Sequence, residues 1–326
     1  MNIKLLTTST VLKENLLNNL ADLNITVDII DSNQSLYPQL KDAEILINSS
    51  STKLDMSILD AAPKLKLIHQ TGIGVDNIDI DYCTKKSIYV ANVPLANAVS
   101  VAEHALFLML FLAKNVGCGY TPNISVMRER FTDTLGTDLQ GKTLTIIGLG
   151  ATGIEVAKRA KAFGMKIFAV TKPPFSRKGI DKTHYVDNIA SSENLLQFLV
   201  EADYVSIHTP LNSDTRNIIG EKELNFMKKS AYLINVARAP IVDREALFVA
   251  LKTKRIAGAA FDVFWNEPPT KGNDNLLQLD NFVLTPHIAG STNEAVEATA
   301  RIVSVNVARM SRGELPLTIV NSELIN

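Results

Sequence analysis

The sequence predicts an α/β protein of two domains, each built on a doubly wound parallel sheet. Short apolar or β-branched runs alternate with helix-like stretches before residue 97, and the same alternation begins again after Gly141. Runs such as YLINVA are apolar throughout, which indicates strands buried on both faces. Because a single core seldom grows much beyond about 250 residues, a chain of 326 residues favours two domains.

The individual strands and helices follow from these alternations. The first series opens with a strand over Asn2–Thr7, continues with a helix at VLKENLLNNLADL, and adds strands at ITVDII, AEILIN, LKLIHQ and IYVANV. The second series begins with a strand at Leu144–Ile147, a helix over Ile154–Phe163 and a strand at Lys166–Val170. Later strands are expected at YVSIHTP, AYLINVA and GAAFDVF.

Two long helices divide the chain. The segment Asn97–Asn115 is apolar almost all the way round, so we expect it to be buried between domains or against another subunit. The segment Thr292–Arg312 is typical of one helix, capped by Ser291 or Thr292 and ended by Gly313. We expect this last helix to return to the first domain, which makes that domain discontinuous. The predicted domains are 1–97 with 291–326, and 98–290.

Composition excludes several classes of protein. Hydrophobic residues make up 46% and charged residues 21% of the chain, as in ordinary globular proteins. A net charge of -1 provides no positive field for nucleic acid. Two cysteines, Cys83 and Cys118, with no C-x-x-C pair, exclude a disulfide framework and favour the cytoplasm. The longest apolar run, Ala105–Ala113, is shorter than the roughly 20 residues of a membrane span.

A glycine-rich turn in the second series indicates a dinucleotide site. The residues Gly148, Gly150, Ala151, Thr152 and Gly153 form a G-x-G-x-x-G pattern directly after a buried strand and at the start of a helix. Such a turn presents backbone N–H groups and the positive end of the helix to a pyrophosphate. The pattern alone is weak evidence, and a purely structural turn between strand and helix is the alternative.

The end of the next strand bears on the choice of cofactor. Thr171 occupies the position expected to touch the adenosine ribose, where an acidic residue would select NAD. Lys172 follows it, with Arg177 and Lys178 close behind, and this positive charge suits the 2'-phosphate of NADP. The cofactor is therefore NAD or NADP, with a slight preference for NADP. The alternative for Lys172 is a solvated loop charge.

Three chemically capable side chains follow predicted strands of the second series. His287 lies behind a proline after VLT, Glu267 follows FDVFWN, and Arg238 follows AYLINVA. Open α/β sheets bind ligands at this carboxyl edge. A carboxylate beside an imidazole raises the pKa of the histidine, as a proton donor near neutral pH requires, and a guanidinium suits a carboxylate substrate. Taken singly, each could be a structural ion pair or surface charge. The other four histidines are interpreted as structural.

These and other segments together resemble the D-isomer-specific 2-hydroxyacid dehydrogenases over essentially the whole chain. The stretches that carry the resemblance are TGIGVDNIDI (71–80), SVAEH (100–104), GKTLTIIGLGATG (141–153), HTPL (208–211), INVARAPIVDREAL (234–247), FDVFWNEPP (261–269) and TPHIAG (285–290). The resemblance implies a discontinuous, flavodoxin-like substrate domain and a Rossmann domain that binds the dinucleotide. It also implies hydride transfer between a nicotinamide and a 2-hydroxy or 2-keto acid.

The resemblance assigns roles to particular residues. Arg238 would orient the substrate, His287 would be the acid/base, and Glu267 would be the carboxylate partner of His287. Backbone N–H groups of the loop with Ile73, Gly74 and Val75 would hold the substrate carboxylate, and Asp262 would face the nicotinamide carboxamide. The remaining residues expected to line the cofactor site are Thr209, Val236, Ala237, Ala289 and Gly290, with Arg238 and His287 beside them.

Three departures from the family pattern bear on the cofactor, the loop after Arg238 and the substrate. Thr171 replaces the common acidic residue, and Ala239-Pro240 stands where Gly-Gly is usual. Ser49 occupies a place where phosphoglycerate-using members tend to carry arginine, so a compact keto acid such as glyoxylate, hydroxypyruvate or pyruvate is favoured. Phosphoglycerate oxidation and a dinucleotide-sensing regulator like the corepressors of this family are the alternatives.

The apolar helix over 98–113 favours a homodimer.

Overall fold

The structure is a computed structural model that describes residues 1–7, 9–21, 23, 25–31, 33–49, 52–116, 135–172, 184–269 and 274–325. The chain forms two compact units, Met1–Asn97 with Ser291–Asn326, and Ala98–Gly290. Over these residues, each unit contains one sheet whose strand pairs are all parallel. The predicted fold class, two α/β domains that are each built on a parallel sheet, is confirmed.

The first unit contains a sheet of five strands in the order β2-β1-β3-β4-β5. The strands are β1 (Asn2–Leu5), β2 (Thr26–Ile29), β3 (Ile45–Asn48), β4 (Leu67–Gln70) and β5 (Tyr89–Ala91). The helices between them are α1 (Thr10–Leu20), α2 (Leu36–Leu40), α3 (Met56–Asp60) and α4 (Ile80–Lys85). Every residue of β3 and β4 is buried, as expected for central strands covered by helices on both faces.

The second unit contains seven strands in the order β12-β11-β10-β9-β6-β7-β8. The strands are β6 (Thr143–Ile147), β7 (Lys166–Val170), β8 (Asn188–Ala190), β9 (Tyr204–Ile207), β10 (Tyr232–Asn235), β11 (Gly258–Phe261) and β12 (Phe282–Leu284). The helices among the described residues of this unit are α5 (Ala98–Ala113), α6 (Ala151–Ala162), α7 (Leu195–Glu201), α8 (Glu221–Phe226) and α9 (Arg244–Lys252). The strand order reverses between β6 and β9, where sheets of this type bind ligands.

The apolar helix predicted over Asn97–Asn115 is α5, which packs its small and apolar side chains into the core of the second unit. Ala102, Ala105, Leu108 and Met109 are fully buried, and they join a cluster with residues of β6 and α6. On the opposite side Phe107 is 49% exposed. The even apolar distribution therefore belongs to a helix with one face in the core and another apolar face outside it. Within the described ranges, no helix combines the length and apolar character needed to cross a lipid bilayer.

The last long helix, α10 (Asn293–Ser311), belongs to the first unit. The Thr292 hydroxyl caps it by accepting a hydrogen bond from the Ala295 N–H, and the chain turns away at Gly313 with a φ of 75°. Its buried face packs on α1 and joins the core of the first sheet. His69 in β4 is fully buried and accepts a hydrogen bond at Nε2 from the amide of Asn306, which fixes the helix to the sheet.

Candidate active site

The glycine turn lies between β6 and α6. Ile147 pairs with Val170 on one side and Ile207 on the other, so the residues that follow the three strands emerge side by side. Gly148 has a φ of 98°, and a Cβ atom there would lie 2.7 Å from the Thr209 nitrogen. A Cβ atom on Gly153 would overlap the carbonyl oxygen of Gly148. Both positions therefore require glycine, because the turn touches the end of β9 and the start of its own helix.

The same turn is open where a dinucleotide phosphate would approach. A Cβ atom on Gly150 would meet no atom within 4 Å. Gly150 is the N-cap of α6 and no side chain caps this helix, so the N–H groups of Ala151, Thr152 and Gly153 point out of its first turn. The helix begins three residues before the predicted Ile154. Open space, free donors and the positive helix end are the features that fit a pyrophosphate.

A buried nitrogen near the turn is also without a partner. His208 follows β9, and its Nε2 lies 2.7 Å from the Ser206 hydroxyl. Its buried Nδ1 has no hydrogen-bond partner in the described part of the chain. Burial lowers the pKa of His208 to about 3, so the ring is neutral at ordinary pH. The interpretation of His208 as a satisfied structural histidine is therefore incomplete, since Nδ1 remains available to a polar group of a ligand.

The predicted ribose end lies beyond β7. The Thr171 N–H donates to the carbonyl of Ala190, which extends the pairing with β8 by one residue. Lys172 pairs with Asp214 through a Nζ–Oδ2 distance of 2.6 Å, and both side chains are well exposed. An exposed lysine paired with an exposed aspartate is compatible with both interpretations of Lys172, the cofactor contact and the solvated loop charge. Arg177 and Lys178 lie outside the described residues.

His287 and Glu267 meet at the carboxyl edge of the second sheet. The His287 Nδ1 lies 2.6 Å from Glu267 Oε2, and the other carboxylate oxygen accepts a hydrogen bond from the Phe264 N–H. The His287 side chain is 41% exposed, so its ring remains accessible to solvent. The carboxylate fixes the tautomer, because Nδ1 must carry the proton that faces it and Nε2 is left to face a substrate.

The electrostatics of this pair move the two pKa values apart. The hydrogen bond to Glu267 is the main cause that raises the pKa of His287, and it outweighs burial and the nearby Arg238 charge. Burial acts to raise the pKa of Glu267, but the hydrogen bonds from His287 and Phe264, with the charges of His287 and Arg238, hold it below its ordinary value. The carboxylate therefore favours the imidazolium form of His287, which can donate a proton.

Arg238 is placed by the residues around its backbone. The fully buried Asn235, the last residue of β10, donates from its side chain to the carbonyl of Arg238 and accepts from the N–H of Ala237. Arg238 then precedes a 3-10 turn over Ala239–Ile241, which contains Pro240 at its start. The sequence Ala-Pro thus forms a defined turn after the arginine. The positive charge of Arg238 lowers the pKa of both His287 and Glu267.

Asp262 holds the loop that carries His287. Phe261 pairs with Leu284, so Asp262 and the loop after β12 leave the sheet together. The Asp262 carboxylate is 1% exposed and accepts hydrogen bonds from the N–H groups of Ile288 at 3.0 Å and Ala289 at 2.7 Å. The predicted role of Asp262 is a contact to the nicotinamide carboxamide; the contacts seen in the structure organise the loop with Ala289 and Gly290. Val236 and Ala237 directly follow the last residue of β10.

One residue near this loop was not singled out by its sequence pattern. His104 on α5 reaches the Thr285 hydroxyl at 2.9 Å and lies 3.4 Å from Asp262 Oδ1. Burial lowers the pKa of His104, and the Asp262 charge opposes the shift only in part. The sequence does contain a signal, because His104 is the one ionisable residue on α5 beside Glu103, yet the partners of its side chain are far along the chain.

The loops at the carboxyl edge of the first sheet present backbone donors. Ile73, Gly74 and Val75 follow β4, and their N–H groups donate to no other group in the described ranges. The carbonyl of Ile73 accepts a hydrogen bond from the Asn92 side chain, and the carbonyl of Val75 accepts one from the Ile78 N–H. Both anchors act on carbonyl groups, so the loop is held while its N–H groups stay available to a carboxylate.

Buried amides beneath these loops join them to the sheet. Asn48 donates to Gln70 at 2.9 Å, and Gln70 donates to Asn77 at 2.9 Å. Asn77 in turn donates to the carbonyls of Ser49 and Thr52. Asn48 and Gln70 are fully buried. This network of neutral amides was not predicted, although buried amides at strand ends are a recognisable signal of a fixed loop.

Comparison with known proteins agrees with this geometry. The family model for "D-isomer specific 2-hydroxyacid dehydrogenase, NAD binding domain" matches residues 106–289, which is more than half of the chain. A D-lactate dehydrogenase from Aquifex aeolicus, solved with NAD and lactic acid, has a TM-score of 0.85 and is 29% identical, with 98% of this chain and 99% of that chain covered.

Two curated relatives show the range of known activities. A D-3-phosphoglycerate dehydrogenase from Methanocaldococcus jannaschii is 40% identical over 88% of this chain, which spans only 53% of that longer protein. A glyoxylate reductase from Thermococcus litoralis is 39% identical, with 89% of this chain and 87% of the reductase covered. The chain therefore belongs to the D-isomer-specific 2-hydroxyacid dehydrogenases, which are NAD(P)-dependent oxidoreductases that act on the CH–OH group of their donors.

Proposed function

We propose that the protein interconverts a compact 2-keto acid and the matching 2-hydroxy acid, with glyoxylate, hydroxypyruvate or pyruvate as the type of keto substrate. The observation that carries the proposal is the 2.6 Å contact between His287 and Glu267, because it raises the pKa of His287 and so favours the protonated imidazole. A protonated imidazole that is still accessible to solvent is the group that reduction of a carbonyl requires.

The catalytic roles follow from the chemistry of each side chain. The nicotinamide, when bound, would supply the hydride for the keto carbon. The Nε2 proton of His287 passes to the carbonyl oxygen as negative charge develops there, so that one hydride and one proton add across the C=O bond. Glu267 stabilises the imidazolium before transfer and retains the tautomer after it. Arg238 binds the substrate carboxylate and stabilises the negative charge of the transition state.

The proposal also assigns a role to each unit. Residues 98–290 bind the dinucleotide, with the pyrophosphate at Gly148–Gly153 and the ribose at Thr171. Residues 1–97 with 291–326 bind the substrate carboxylate through the N–H groups of Ile73, Gly74 and Val75. The open space at Gly150 and the unpaired N–H groups of the 73–75 loop support these assignments.

The preference between cofactors rests on the residues after β7. Thr171 provides no carboxylate to repel a 2'-phosphate, and Lys172 lies next to it. The ion pair with Asp214 holds part of the Lys172 charge, but this pair is exposed and worth little, so a phosphate can compete for the lysine. We therefore propose that both cofactors are used and that kcat/KM with NADPH exceeds kcat/KM with NADH.

Phosphoglycerate oxidation is a second candidate, which the similarity to the phosphoglycerate dehydrogenase supports. Against it, Ser49 provides no positive charge for the phosphate. The glyoxylate reductase is nearly as similar in sequence and is matched over most of its length. A dinucleotide-sensing regulator is a weaker alternative, because it would have no use for a protonated His287.

One assay separates these functions. The oxidation of NADH and of NADPH is followed at 340 nm with glyoxylate, hydroxypyruvate and pyruvate, and the reduction of NAD and NADP is followed with 3-phosphoglycerate and glycerate. We expect turnover with the small keto acids and a much lower kcat/KM with phosphoglycerate. A higher kcat/KM with phosphoglycerate would replace the proposal by its rival, and binding of cofactor without any turnover would favour the sensor.

Two broader expectations belong to the same proposal. We propose a homodimer, supported by the exposed apolar side chains Val99 and Phe107 on α5, which are 47% and 49% exposed. Light scattering that gives the mass of one 35.7 kDa chain would contradict it. The cytoplasm is proposed from the scarcity of cysteine, of which Cys83 is buried and free.

A further inference from the structure

A chain of hydrogen bonds joins helix α5 to the loop that carries His287. His104 Nε2 lies 2.9 Å from the Thr285 hydroxyl, and this hydroxyl lies 2.5 Å from Asp262 Oδ1. The side chains of His104 and Asp262 are 14% and 1% exposed, so water contributes little to their solvation. These hydrogen bonds therefore connect the buried Asp262 carboxylate to the nearly buried His104 imidazole through one hydroxyl group.

The distances determine where that proton lies. Two oxygens 2.5 Å apart repel each other unless a proton lies between them, so the Thr285 hydroxyl donates to Asp262. The alternative acceptor, the Phe261 carbonyl, is 3.4 Å away. With its only proton directed to the carboxylate, the hydroxyl can meet His104 only as an acceptor. His104 is therefore an N–H donor at Nε2, and it determines the orientation of the hydroxyl.

The loop on the other side of Asp262 depends on this arrangement. His287 has a φ of 55°, a left-handed conformation that disfavours residues with a Cβ atom. The N–H groups that hold the loop in this conformation, those of Ile288 and Ala289, both donate to Asp262. The direction of the His287 imidazole toward Glu267 is thus maintained by a carboxylate whose own position is supported by Thr285.

We propose that His104 is a positioning residue for the acid/base His287, which acts by donating a hydrogen bond to Thr285 and so holding Asp262 under the 285–289 loop. The inference rests on the proposed function, because it concerns the proton donor of that reaction. It assigns to α5 a part in catalysis through contacts within the second unit. His104 itself does not exchange a proton with the substrate.

The inference makes the pKa of His287 depend on His104. The charged groups that act on His287 are Glu267, Arg238 and Asp262, and the hydrogen bond to Glu267 is the main one that raises its pKa. A looser 285–289 loop weakens this bond, so the pKa of His287 falls towards its ordinary value. Removal of the donor is expected to lower this pKa by about 0.5, the size of a weakened hydrogen bond.

The test is a histidine titration by NMR on the full chain without cofactor. With ¹³C-labelled histidine, the five histidines are followed against pH, and His287 is assigned by its absence in His287→Ala. We expect His104→Leu to lower the pKa of His287, and His104→Gln, whose amide can donate to Thr285, to keep most of the wild-type value. His184→Leu, the same change at an exposed histidine that packs on Tyr185, leaves it unchanged.

The kinetic readout must agree with the titration. In keto-acid reduction, His104→Leu is expected to lower kcat severalfold with little change in KM for the cofactor, and His104→Gln to restore most of the loss. An unchanged pKa of His287 in His104→Leu, or equal behaviour of the Leu and Gln variants, would overturn the inference. If His104→Leu does not fold, Thr285→Val takes its place with the same expected decrease and the same contrary result.

The titration needs no substrate. Failure of the proposed function would appear separately, as a wild-type protein that turns over none of the keto acids.

Discussion

The carboxyl edges of the two sheets are organised by different chemistry. In the first unit, neutral amides hold the loops, with Asn48, Gln70 and Asn77 bonded in series beneath them. In the second unit, the edge is organised by ionisable groups, with His287 bonded to Glu267 and Asp262 holding their loop. A neutral network keeps its shape at any pH, whereas the charged one changes with protonation. The first edge is therefore suited to binding and the second to proton transfer.

The largest loss of activity is expected from Arg238→Gln, which removes a charged group from the edge of the second sheet. Loss of the guanidinium removes both the substrate carboxylate partner and charge stabilisation, so kcat/KM for the keto acid should fall by about 10³-fold. Arg238→Lys is the matched control: it keeps the charge but loses the planar fork, and it should recover only part of the loss. Steady-state kinetics measure both variants. Full activity in the lysine variant would show that charge alone is needed.

Glu267→Gln should act mainly through the pKa of His287. The wild-type reduction rate is expected to fall as pH rises through the raised pKa of His287, because the protonated imidazole is lost there. Without the carboxylate this limb of the pH profile moves to lower pH, and at any pH above the limb the rate drops by about tenfold if the pKa of His287 falls by one. The pH dependence of kcat/KM measures the change. A limb at the wild-type position would exclude the proposed partnership.

The same pair also makes a prediction about stability. Because the pKa of His287 is raised on folding, His287 stabilises the folded chain fully at pH values below its pKa in the unfolded chain. This contribution is lost as pH rises through the folded pKa. The lowered pKa of Glu267 favours folding above its unfolded value, and this contribution is lost as pH falls through the folded pKa. Both contributions are therefore fully present at pH values above the unfolded pKa of Glu267 and below the unfolded pKa of His287. Glu267→Gln should flatten the dependence of Tm on pH at both limits of this window.

Asn77→Ala tests the neutral edge and should have a smaller effect. The loss of its hydrogen bonds to Ser49 and Thr52 loosens the substrate loops, so KM for the keto acid should rise by about threefold to tenfold while kcat changes less. The control is Asn15→Ala, where the lost bond goes only to the Val11 carbonyl on α1. If Asn77→Ala changes kcat and its pH dependence instead, the two edges do not have separate roles.

Asp214→Ala should give the smallest change, in the choice of cofactor. Removal of the partner frees Lys172 for the 2'-phosphate, so the ratio of kcat/KM for NADPH to that for NADH should rise by about twofold to threefold, the value of an exposed ion pair. Lys172→Ala should change this ratio in the opposite direction. Kinetics with both cofactors at one ionic strength decide it, and a ratio that does not respond would exclude Lys172 from the ribose site.

The fold could be predicted from the sequence where local signals and burial agree. The strand Lys166–Val170 has its predicted bounds, and Thr292 caps the last helix as its side-chain chemistry suggests. Observed element ends differ from the predicted ones where backbone hydrogen bonding determines them. The first strand, predicted to reach Thr7, ends at Leu5, and α6 begins at Ala151 because Gly150 is its N-cap. Element type follows from periodicity, but element ends depend on hydrogen bonds that periodicity does not describe.

The candidate site was predictable only in part. The positions of Arg238, Glu267 and His287 after strands could be seen in the sequence, and their catalytic roles stay predictions. The role proposed for His104 could not be seen, because its partner Thr285 is 181 residues away and depends on the packing of α5 against the sheet. The amide network could not be predicted for the same reason, since Asn77 and Ser49 are 28 residues apart in the sequence. Such contacts require tertiary structure.

The most direct measurement is the pH dependence of NADH- and NADPH-driven keto-acid reduction by the wild type and by His287→Ala. The wild type should lose activity as pH rises through the raised pKa of His287, and the variant should be slower by about 10² or more, with that limb absent and cofactor affinity nearly unchanged. A variant with the wild-type rate and the same limb would contradict the assignment of proton transfer to His287.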